Sequence, residues 1–413
     1  MHTNTRTPIA MAVLMACLSS TAWASGISRY ETASSYLSTA GAGQATDTGA
    51  SSAFNNPAGL AFMDQPQFEG NLLLINDSLS FQDQGSTGVT PGFDQLRRDV
   101  DYSTGLSAGA SLFYGRPLNE KWSLGASLTS PFGGSSDFGD NWVGSNFVET
   151  TDVAVTALSA AAAYRINPEW SVGASLGMGH MSWELSLDVP PVMEEALDLD
   201  DTAPVWSLGI TYQPNQNTRW GLRYIGAVDF DLEGDAILDT PMGEMKDKAS
   251  QFFPLPDIAT LSLEQSLSPK LRLLADLEWS NWSVFKESRI VHENGPTIIV
   301  DRNWQDTWGG AVGLSYDLTP RWTLNTGLSY DQSPVASTDR KLDPPVDRQV
   351  ALGLGARLHL SENSELTFNY QFLDLGSNKV SRDIPDPSMP LQTIVGESDN
   401  HVHIAGLGYI YRF

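Results

Sequence analysis

The sequence predicts an all-β protein, a 14-stranded antiparallel transmembrane β-barrel with an N-terminal hatch in its lumen. Three observations carry this prediction. Polar and apolar residues alternate along most of the chain, which is the two-residue period of strands. The connections between the alternating segments are short and long in turn, as in outer-membrane barrels. The chain also ends in an alternating segment whose last residue is the aromatic Phe413.

The composition excludes several other classes of protein. The chain has 413 residues, of which 41% are hydrophobic and 18% are charged, so it is too apolar for disorder. No run of apolar residues is long enough for a membrane-spanning helix. A net charge of −25 without any dense run of Lys or Arg excludes nucleic acid as a partner. The 36 glycines, with 12 Trp, 12 Tyr and 16 Phe, favour strands and turns.

Residues 1–24 have the features of a secretory signal peptide. Arg6 precedes a short apolar run, and Ala22-Trp23-Ala24 gives a small-x-small cleavage site, so the mature chain is expected to begin at Ser25. An alternative is that Leu14-Met15-Ala16-Cys17 acts as a bacterial lipoprotein box. In the first case the mature chain has no cysteine, and its stability must come from a large core or from backbone pairing in a membrane.

Two nearly repeated segments, 121–128 and 169–176, show how the strands are built. In each, Trp and the apolar residues fall on one face, and Ser and Gly fall on the other. Trp122, Trp170 and further tryptophans that follow short turns are placed for an aromatic girdle at a membrane interface. Fourteen alternating segments are predicted as strands: 67–82, 104–116, 121–130, 153–166, 170–187, 205–212, 219–233, 258–267, 271–285, 308–316, 322–332, 350–359, 365–375 and 401–413.

Most of the acidic residues lie in the predicted long loops, where they favour a solvated surface. A sharper hypothesis is that they bridge divalent cations to anionic surface lipid such as lipopolysaccharide. The best candidates for such bridging are Glu194, Glu195, Asp198, Asp200 and Asp201. At the C-terminus, the aromatic Phe413 resembles the signal that the bacterial outer-membrane assembly machinery reads.

Residues 25–65 lack strand alternation and are rich in Ala, Ser, Thr and Gly, so we expect a compact hatch that fills the lumen of the barrel formed by residues 66–413. Small inward residues such as Ser123, Gly125 and Gly173 leave room for it. The turn at Asn56-Pro57-Ala58-Gly59 and the apolar Phe54, Leu60 and Phe62 argue against a disordered tail.

The segment Asn55-Asn56-Pro57-Ala58-Gly59-Leu60, after Gly41-Ala42-Gly43 and Asp47, resembles the hatch of the FadL family of long-chain fatty acid and aromatic-hydrocarbon transporters. Further motifs follow in the family's order. They are Ser130-Pro131-Phe132-Gly133 with Asn141-Trp142-Val143-Gly144, Leu255-Pro256-Asp257 with Asp276, Trp279 and Asn281-Trp282-Ser283-Val284-Phe285, and Trp322-Thr323-Leu324 with Tyr330 to Val335 and Asp347-Arg348. After Trp142-Val143-Gly144 many relatives carry Arg-Tyr, whereas this chain has Ser145-Asn146, so a ligand contact is not carried over there.

The resemblance implies a monomer of the bacterial outer membrane that captures hydrophobic molecules at extracellular loops, binds them inside the barrel and releases them after a shift of the hatch. Long-chain fatty acids are the expected cargo, with aromatic or aliphatic hydrocarbons as the alternative. We expect Asn56, Pro57, Ala58 and Gly59 to act in gating. The expected ligand contacts are Phe54, Leu60, Phe62, Pro131 and Phe132, together with Arg223 and Arg357 on inward faces, where structural ion pairs are the alternative role for the two arginines.

Other classes of function have weaker support. Gly173-Ala174-Ser175-Leu176-Gly177 matches the G-x-S-x-G pattern of serine hydrolases, but it lies inside a predicted strand rather than at a strand-to-helix elbow. His401 and His403 share a strand face without a third metal ligand nearby in sequence. We therefore expect no catalytic residue, metal or cofactor. A structural or adhesive barrel and a general porin remain the alternatives from other classes.

Overall fold

The computed structural model describes residues 33–88, 92–102, 105–189, 193–343, 346–383 and 392–413. The predicted signal peptide and the first residues of the predicted hatch lie outside these ranges. Among the described residues, no helix is long and apolar enough to cross a membrane.

Fourteen antiparallel strands form a closed wall, in which each strand pairs with the next and β14 pairs back with β1, from Gln67 opposite Arg412 onward. This confirms the predicted architecture. The strands are β1 Gln67–Asp83, β2 Leu106–Pro117, β3 Trp122–Asp137, β4 Thr150–Arg165, β5 Trp170–Val189, β6 Met193–Asn215, β7 Thr218–Ile225, β8 Ile258–Ser268, β9 Leu271–Ser280, β10 Thr307–Thr319, β11 Trp322–Asp331, β12 Gln349–His359, β13 Ser364–Asp383 and β14 Gln392–Arg412.

Several predicted strand boundaries were wrong. The predicted segments 205–212 and 401–413 are the lower parts of the longer strands β6 and β14, because pairing continues past the apolar belt into extracellular hairpins. The loop between β5 and β6 is correspondingly shorter than predicted. The predicted strand 271–285 ends at Ser280 and is followed by a 3-10 turn at Trp282–Val284.

The predicted strand 219–233 is divided. β7 ends at Ile225, and a separate strand, Val228–Thr240, begins after Gly226 and Ala227. The backbone N–H of Ala227 donates to the Asp257 carboxylate, at 2.9 Å, instead of to a neighbouring strand. The chain therefore bends at this point, and Val228–Thr240 continues beside the upper part of β6.

Additional strands extend the wall on the side of the long loops, which we call the extracellular end. Val228–Thr240 pairs with Gly243–Leu255, and Glu287–His292 pairs with Thr297–Asp301. Short strands at Thr87–Gly88 and Val100–Tyr102 pair with β14 and β1, and a 3-10 turn covers Phe93–Gln95.

The two faces of the wall differ as the alternation predicts. Outward side chains include exposed Leu, Val and Trp, whereas inward Ser123 and Ser171 are buried. Near the short turns, outward aromatic rings pack in pairs, with 4.9 Å between the ring centres of Trp122 and Tyr164 and 4.2 Å between those of Trp170 and Tyr212. These rings form the expected girdle at the periplasmic end.

Residues 33–63, which we call the N-terminal segment, lie inside the barrel. They form two short α-helices, α1 Ser34–Leu37 and α2 Ser52–Asn55, and 3-10 turns at Gln44–Thr46 and Pro57–Phe62. Most residues of the segment are buried, and its side chains and backbone contact inward residues of the wall. This small-residue segment therefore fills the lumen nearer the periplasmic end.

Candidate functional site

Asn56 joins three parts of the structure and is fully buried. Its side-chain oxygen accepts the backbone N–H of Ala58 at 3.2 Å, which is the local turn expected from the Asn-Pro-Ala sequence. Its amide nitrogen donates to the carbonyl oxygen of Ala45 at 2.6 Å, and to Ile210 O and Thr211 Oγ1 of β6 at 3.2 Å each. One carboxamide thus fixes the turn to the rest of the N-terminal segment and to the wall.

Inward glycines allow the segment to approach the wall closely. A Cβ atom at Gly173 would lie 2.4 Å from the backbone nitrogen of Ala58, and one at Gly209 would lie 1.9 Å from the side-chain oxygen of Asn56. Beside Gly173, the Ser171 hydroxyl donates to the carbonyl oxygen of Ala58 at 2.8 Å. Similar close contacts with the N-terminal segment occur at Gly125, Gly221, Gly327 and Gly353.

A second anchor lies on β9, three strands along the wall from β6. The Asp276 carboxylate on β9 accepts the backbone N–H groups of Gly43, at 2.7 Å, and Gln44, at 3.2 Å. Gly43 has φ +94°, a conformation that side chains rarely adopt, so glycine is required to present both N–H groups. The segment Gly41-Ala42-Gly43 and the residue Asp276, which both contribute to the resemblance described above, therefore meet at this point.

The extracellular end of the lumen is a large apolar cluster, which we call the extracellular chamber. Fully buried Trp142 stacks on Phe138, with ring centres 4.6 Å apart, and meets Phe81 edge-on at 5.3 Å. On the other side Phe285 lies 4.9 Å from Phe253 and 5.0 Å from Trp304. These packed rings make the extracellular end of the lumen apolar and largely aromatic.

Below the chamber is a smaller apolar cavity of about 40 Å³, the central cavity. It is lined by Phe54 of the N-terminal segment and by Pro131 and Phe132 of β3, so three predicted ligand contacts come together. Sequence reasoning missed other lining residues, among them Val205, Trp206, Ile225 and Gly226. The Gly226-Ala227 pair within a predicted strand was the available signal for them.

β3 bends beside the central cavity. Its pairing with β4 shifts register between Thr129 and Phe132, and its regular pairing with β2 ends at Leu112 opposite Leu128. Pro131 cannot donate a backbone hydrogen bond, which accounts for the irregularity. The bend places Phe132, which is 5% exposed, against the lumen.

At the periplasmic end, a cavity of about 460 Å³ separates the N-terminal segment from the wall. Phe62 and Arg357 both line this periplasmic cavity, as do Arg219, Arg272 and Arg412. The Arg357 guanidinium lies 3.6 Å from Glu365, and about a third of its side chain is exposed. Arg357 therefore keeps part of its guanidinium open to a cavity that Asp47, Glu69 and Glu264 also line.

The two remaining predicted contacts lie elsewhere. Arg223 is 4% exposed, and its guanidinium contacts Thr260 Oγ1 at 2.9 Å and the Glu278 carboxylate at 3.4 Å, which is the arrangement of a structural ion pair. Leu60 is fully buried and packs with Ala53, Ala61 and inward alanines of β4. Neither Arg223 nor Leu60 is among the described residues that line the central cavity or the periplasmic cavity.

Ser175, His401 and His403, which matched enzyme or metal-site patterns in the sequence, contact only neighbouring side chains of the wall in the contacts described here. Ser175 lies within β5 and shares a 2.6 Å hydrogen bond with Ser207 on β6. His403 bonds the Tyr370 hydroxyl at 2.7 Å on the outer face of the wall, next to His401. Within the described ranges, no group of three or more His, Cys, Asp or Glu side chains could hold a metal ion.

The predicted acidic cluster is divided by its strand. Glu194, Asp198 and Asp200 are exposed, whereas Glu195 points the other way and bonds His292 at 2.7 Å. Asp201 accepts the backbone N–H of Asp231 at 2.8 Å. The five carboxylates thus do not converge on one point.

Comparison with known sequences places these features among characterised proteins. The sequence model described as "Outer membrane protein transport protein (OMPP1/FadL/TodX)" matches residues 15–413. The chain is 25% identical over 410 residues to the Long-chain fatty acid transport protein of Escherichia coli O6:H1, covering 89% of this chain and 91% of that protein. It is 24% identical to Outer membrane protein P1 of Haemophilus influenzae Rd, with 93% and 94% covered.

Solved structures share the fold. A Pseudomonas aeruginosa FadL homologue superposes with a TM-score of 0.85 at 20% identity, covering 94% of this chain and 100% of that one. The Pseudomonas putida toluene transporter TodX gives a TM-score of 0.67 at 18% identity, with 89% and 95% covered.

Proposed function

The chain belongs to the FadL/TodX family of outer-membrane transport proteins, and from this membership we propose that it carries long-chain fatty acids inward by a route that the N-terminal segment gates. It is a β-barrel of the bacterial outer membrane that transports hydrophobic molecules, and it is not an enzyme. The choice of fatty acids and the gating mechanism are the parts that we propose.

The observation that carries the proposal is the order of environments along the lumen. An aromatic chamber lies at the extracellular end, the apolar central cavity touches Phe54 of the N-terminal segment, and the periplasmic cavity beyond the segment is lined by Arg357. A fatty acid needs apolar surface for its chain and a cation for its carboxylate. The segment stands between these two environments, so its displacement would join them.

Two exits lead from the central cavity once the N-terminal segment shifts. A carboxylate cargo favours the path to the periplasmic cavity, because Arg357 offers it a partially exposed guanidinium. A neutral hydrocarbon needs no cation and can leave sideways at the bend near Pro131. The aromatic rings around Phe285 favour an aromatic hydrocarbon as the second candidate cargo.

The proposal is tested with Asn56→Ala and Pro57→Gly in cells that lack other fatty acid transporters. Both changes loosen the turn but leave the hydrogen bonds between strands intact. We expect normal amounts of heat-modifiable barrel in the outer membrane and impaired uptake of labelled oleate. Asn167→Ala, in a periplasmic turn where the side chain bonds Glu169 N and Trp170 N, serves as the matched control.

Three outcomes contradict gating by the N-terminal segment. Mutants that fold and transport at wild-type rates would show that the turn is dispensable. Folding yield and uptake that fall in proportion would show that the segment only supports folding. A steady large conductance of the wild-type protein in planar bilayers would likewise exclude a closed lumen. Mass spectrometry of molecules that co-purify with the barrel identifies the cargo class.

A further inference from the structure

Four serines form a row on the inner face of the wall, from β3 to β6. Ser127 of β3 lies opposite Ser159 of β4, and Ser175 of β5 lies opposite Ser207 of β6. Ser127, Ser159 and Ser207 are at most 8% exposed. We call these four residues the serine row. Their neighbours in sequence point outward, and three of these are more than half exposed, namely Leu158, Leu176 and Leu208.

The serine row forms the floor of the central cavity. Ser159, Ser175 and Ser207 are among the residues that line it. Because β4 and β6 run toward the periplasmic end, the lining residues Val155 and Val205 lie above Ser159 and Ser207. The cavity therefore has apolar walls above and hydroxyl groups below.

The hydroxyl groups of this floor have unused hydrogen-bonding capacity. Ser175 and Ser207 share one bond of 2.6 Å, in which only one of their two O–H groups donates. The buried hydroxyls of Ser127 and of Thr129, the next inward residue of β3, have no hydrogen-bond partner among the described residues. A buried hydroxyl without a partner is unfavourable, so a polar group in the cavity would satisfy the floor better than an apolar one.

The surroundings of the floor are uncharged. None of the described residues that line the central cavity carries a charged side chain. Arg223, two positions below Ile225 on β7, contacts Thr260 and Glu278 instead. An ionised carboxylate would therefore enter without a cation, which is costly in an apolar site. The floor suits a group that is neutral and can both donate and accept a hydrogen bond.

The size of the cavity fits a head group rather than a whole molecule. A volume of about 40 Å³ holds roughly two or three water-sized groups. Phe132 and Val155, in its walls, belong to the same apolar cluster as Trp142 and Phe285 of the extracellular chamber. An alkyl chain attached to the head group would therefore meet apolar side chains in the upward direction.

We propose that the serine row is a polar subsite for the neutral hydroxyl group of an amphiphilic cargo, such as an aliphatic alcohol or a protonated fatty acid, whose chain points toward the extracellular chamber. Such a hydroxyl group accepts a hydrogen bond from one serine and donates to another, whereas an alkane does neither. The row thus selects amphiphiles over alkanes of the same length. Inward transport of the selected cargo rests on the proposed function, but binding at the subsite can be measured without it.

Equilibrium binding tests the subsite in the absence of transport. Labelled 1-decanol and labelled decane are each distributed between nanodiscs that contain the barrel and empty nanodiscs, so that partition into lipid cancels. The double variant Ser175→Ala/Ser207→Ala removes both hydroxyls of the pair and leaves neither partner unpaired. We expect it to weaken decanol binding about tenfold, as for the loss of one or two neutral hydrogen bonds, and to leave decane binding unchanged.

Thr150→Val/Ser186→Ala is the matched control, because it removes another pair of hydroxyls, 2.8 Å apart, between β4 and β5. Neither residue is among the described residues that line the central cavity, so the binding of both ligands should be unchanged. Ser159→Ala leaves the bond between Ser175 and Ser207 in place and should also weaken decanol binding, so the result does not depend on the folding of one variant. Heat-modifiability shows that each variant is folded.

Selective loss of decanol binding in both serine variants supports the subsite. An unchanged ratio of decanol to decane binding in the folded variants would overturn it and leave the serines as small residues that make room for the N-terminal segment. Equal loss of both ligands would also overturn it, since the cavity itself would then have changed. Failure of the proposed function is a separate result, because oleate uptake that does not depend on Asn56 or Arg357 would leave decanol binding unaffected.

Discussion

The side-chain oxygen of Asn56 lies 1.9 Å from the point that a Cβ atom would occupy at Gly209. The turn of the N-terminal segment and the inner surface of β6 therefore fit only while residue 209 has no side chain. Since the same Asn56 side chain also bonds Ala58, Ala45 and β6, a small change in the wall should displace the whole turn.

Gly209→Ala should dislodge the turn while the barrel stays closed, because the added methyl group overlaps Asn56 but none of the backbone bonds between strands is lost. We expect unchanged heat-modifiability and a higher conductance in planar bilayers. Gly310→Ala is the control, since a Cβ there has only the Asp276 carbonyl oxygen nearby, at 3.6 Å. Similar conductance of the two variants would show that the turn does not depend on the fit at Gly209.

Asp276→Ala should release the other end of the segment. The N–H groups of Gly43 and Gln44 would lose their acceptor, and each unsatisfied buried donor costs about 1–3 kcal/mol. Hydrogen exchange at residues 43 and 44 should speed up, with a smaller effect for Asp276→Asn, which keeps one acceptor oxygen. The exposed Asp239→Ala should leave exchange there unchanged. Equal protection in Asp276→Ala would mean that other contacts hold this end.

Substitutions of Arg357 and Arg223 should have different effects on uptake and on stability. Arg357→Gln should lower uptake of a fatty acid but not of a neutral hydrocarbon, because it removes positive charge from the periplasmic cavity. Arg223→Gln should instead destabilise the barrel by roughly 3–5 kcal/mol, because it leaves Glu278 without its buried partner. Uptake of both cargoes and the denaturation midpoint provide the measurements. Equal loss of both cargoes in folded Arg357→Gln would argue against carboxylate recognition.

Glu149, in the extracellular loop before β4, should make that loop sensitive to pH. Burial, together with nearby negative charges, raises the pKa of its carboxyl from 4.5 to about 7, and the charges belong to Asp188, Glu194, Asp140 and Asp137. The folded loop therefore binds the proton more tightly than the unfolded loop. Its stabilisation is complete below pH 4.5 and is lost as the pH rises through 7.

Limited proteolysis of residues 138–149 measures this effect. Cleavage of the wild-type loop should be faster at pH 8 than at pH 5, and Glu149→Gln should be cleaved slowly at both values. If the variant retains the full pH dependence, another group in the loop is responsible.

The strands and the turn at Asn56 could be predicted because both depend on local sequence. Period-two alternation places Ser123 inward and Trp122 outward whatever the distant chain does. In the turn, Asn56 accepts the N–H of a residue only two positions away. Such features are set by neighbours in the sequence, and the structure has the alternation and the turn, although not all of the strand boundaries, as predicted.

The remaining features depend on contacts between distant residues. Val228, Phe230 and Leu232 continue the alternation of apolar residues that begins in β7, and all three are buried. The sequence pattern therefore does not indicate the bend, which forms where Ala227 N bonds the Asp257 carboxylate. Likewise, Asp276 and Gly43 are 233 positions apart, and their bond follows only from closure of the barrel. For the same reason, the sequence could not show that Arg223 forms a buried ion pair whereas Arg357 lines a cavity.

The pairing of β14 with β1 also determines when the barrel can close. The seam brings Phe413 N within 3.0 Å of the Pro66 carbonyl oxygen, so the last strand of the barrel is the partner of the first. Until it arrives, both edges of the sheet are open, and unpaired edges are templates for aggregation. An exported chain must therefore be kept unassembled in the periplasm until its final strand is available.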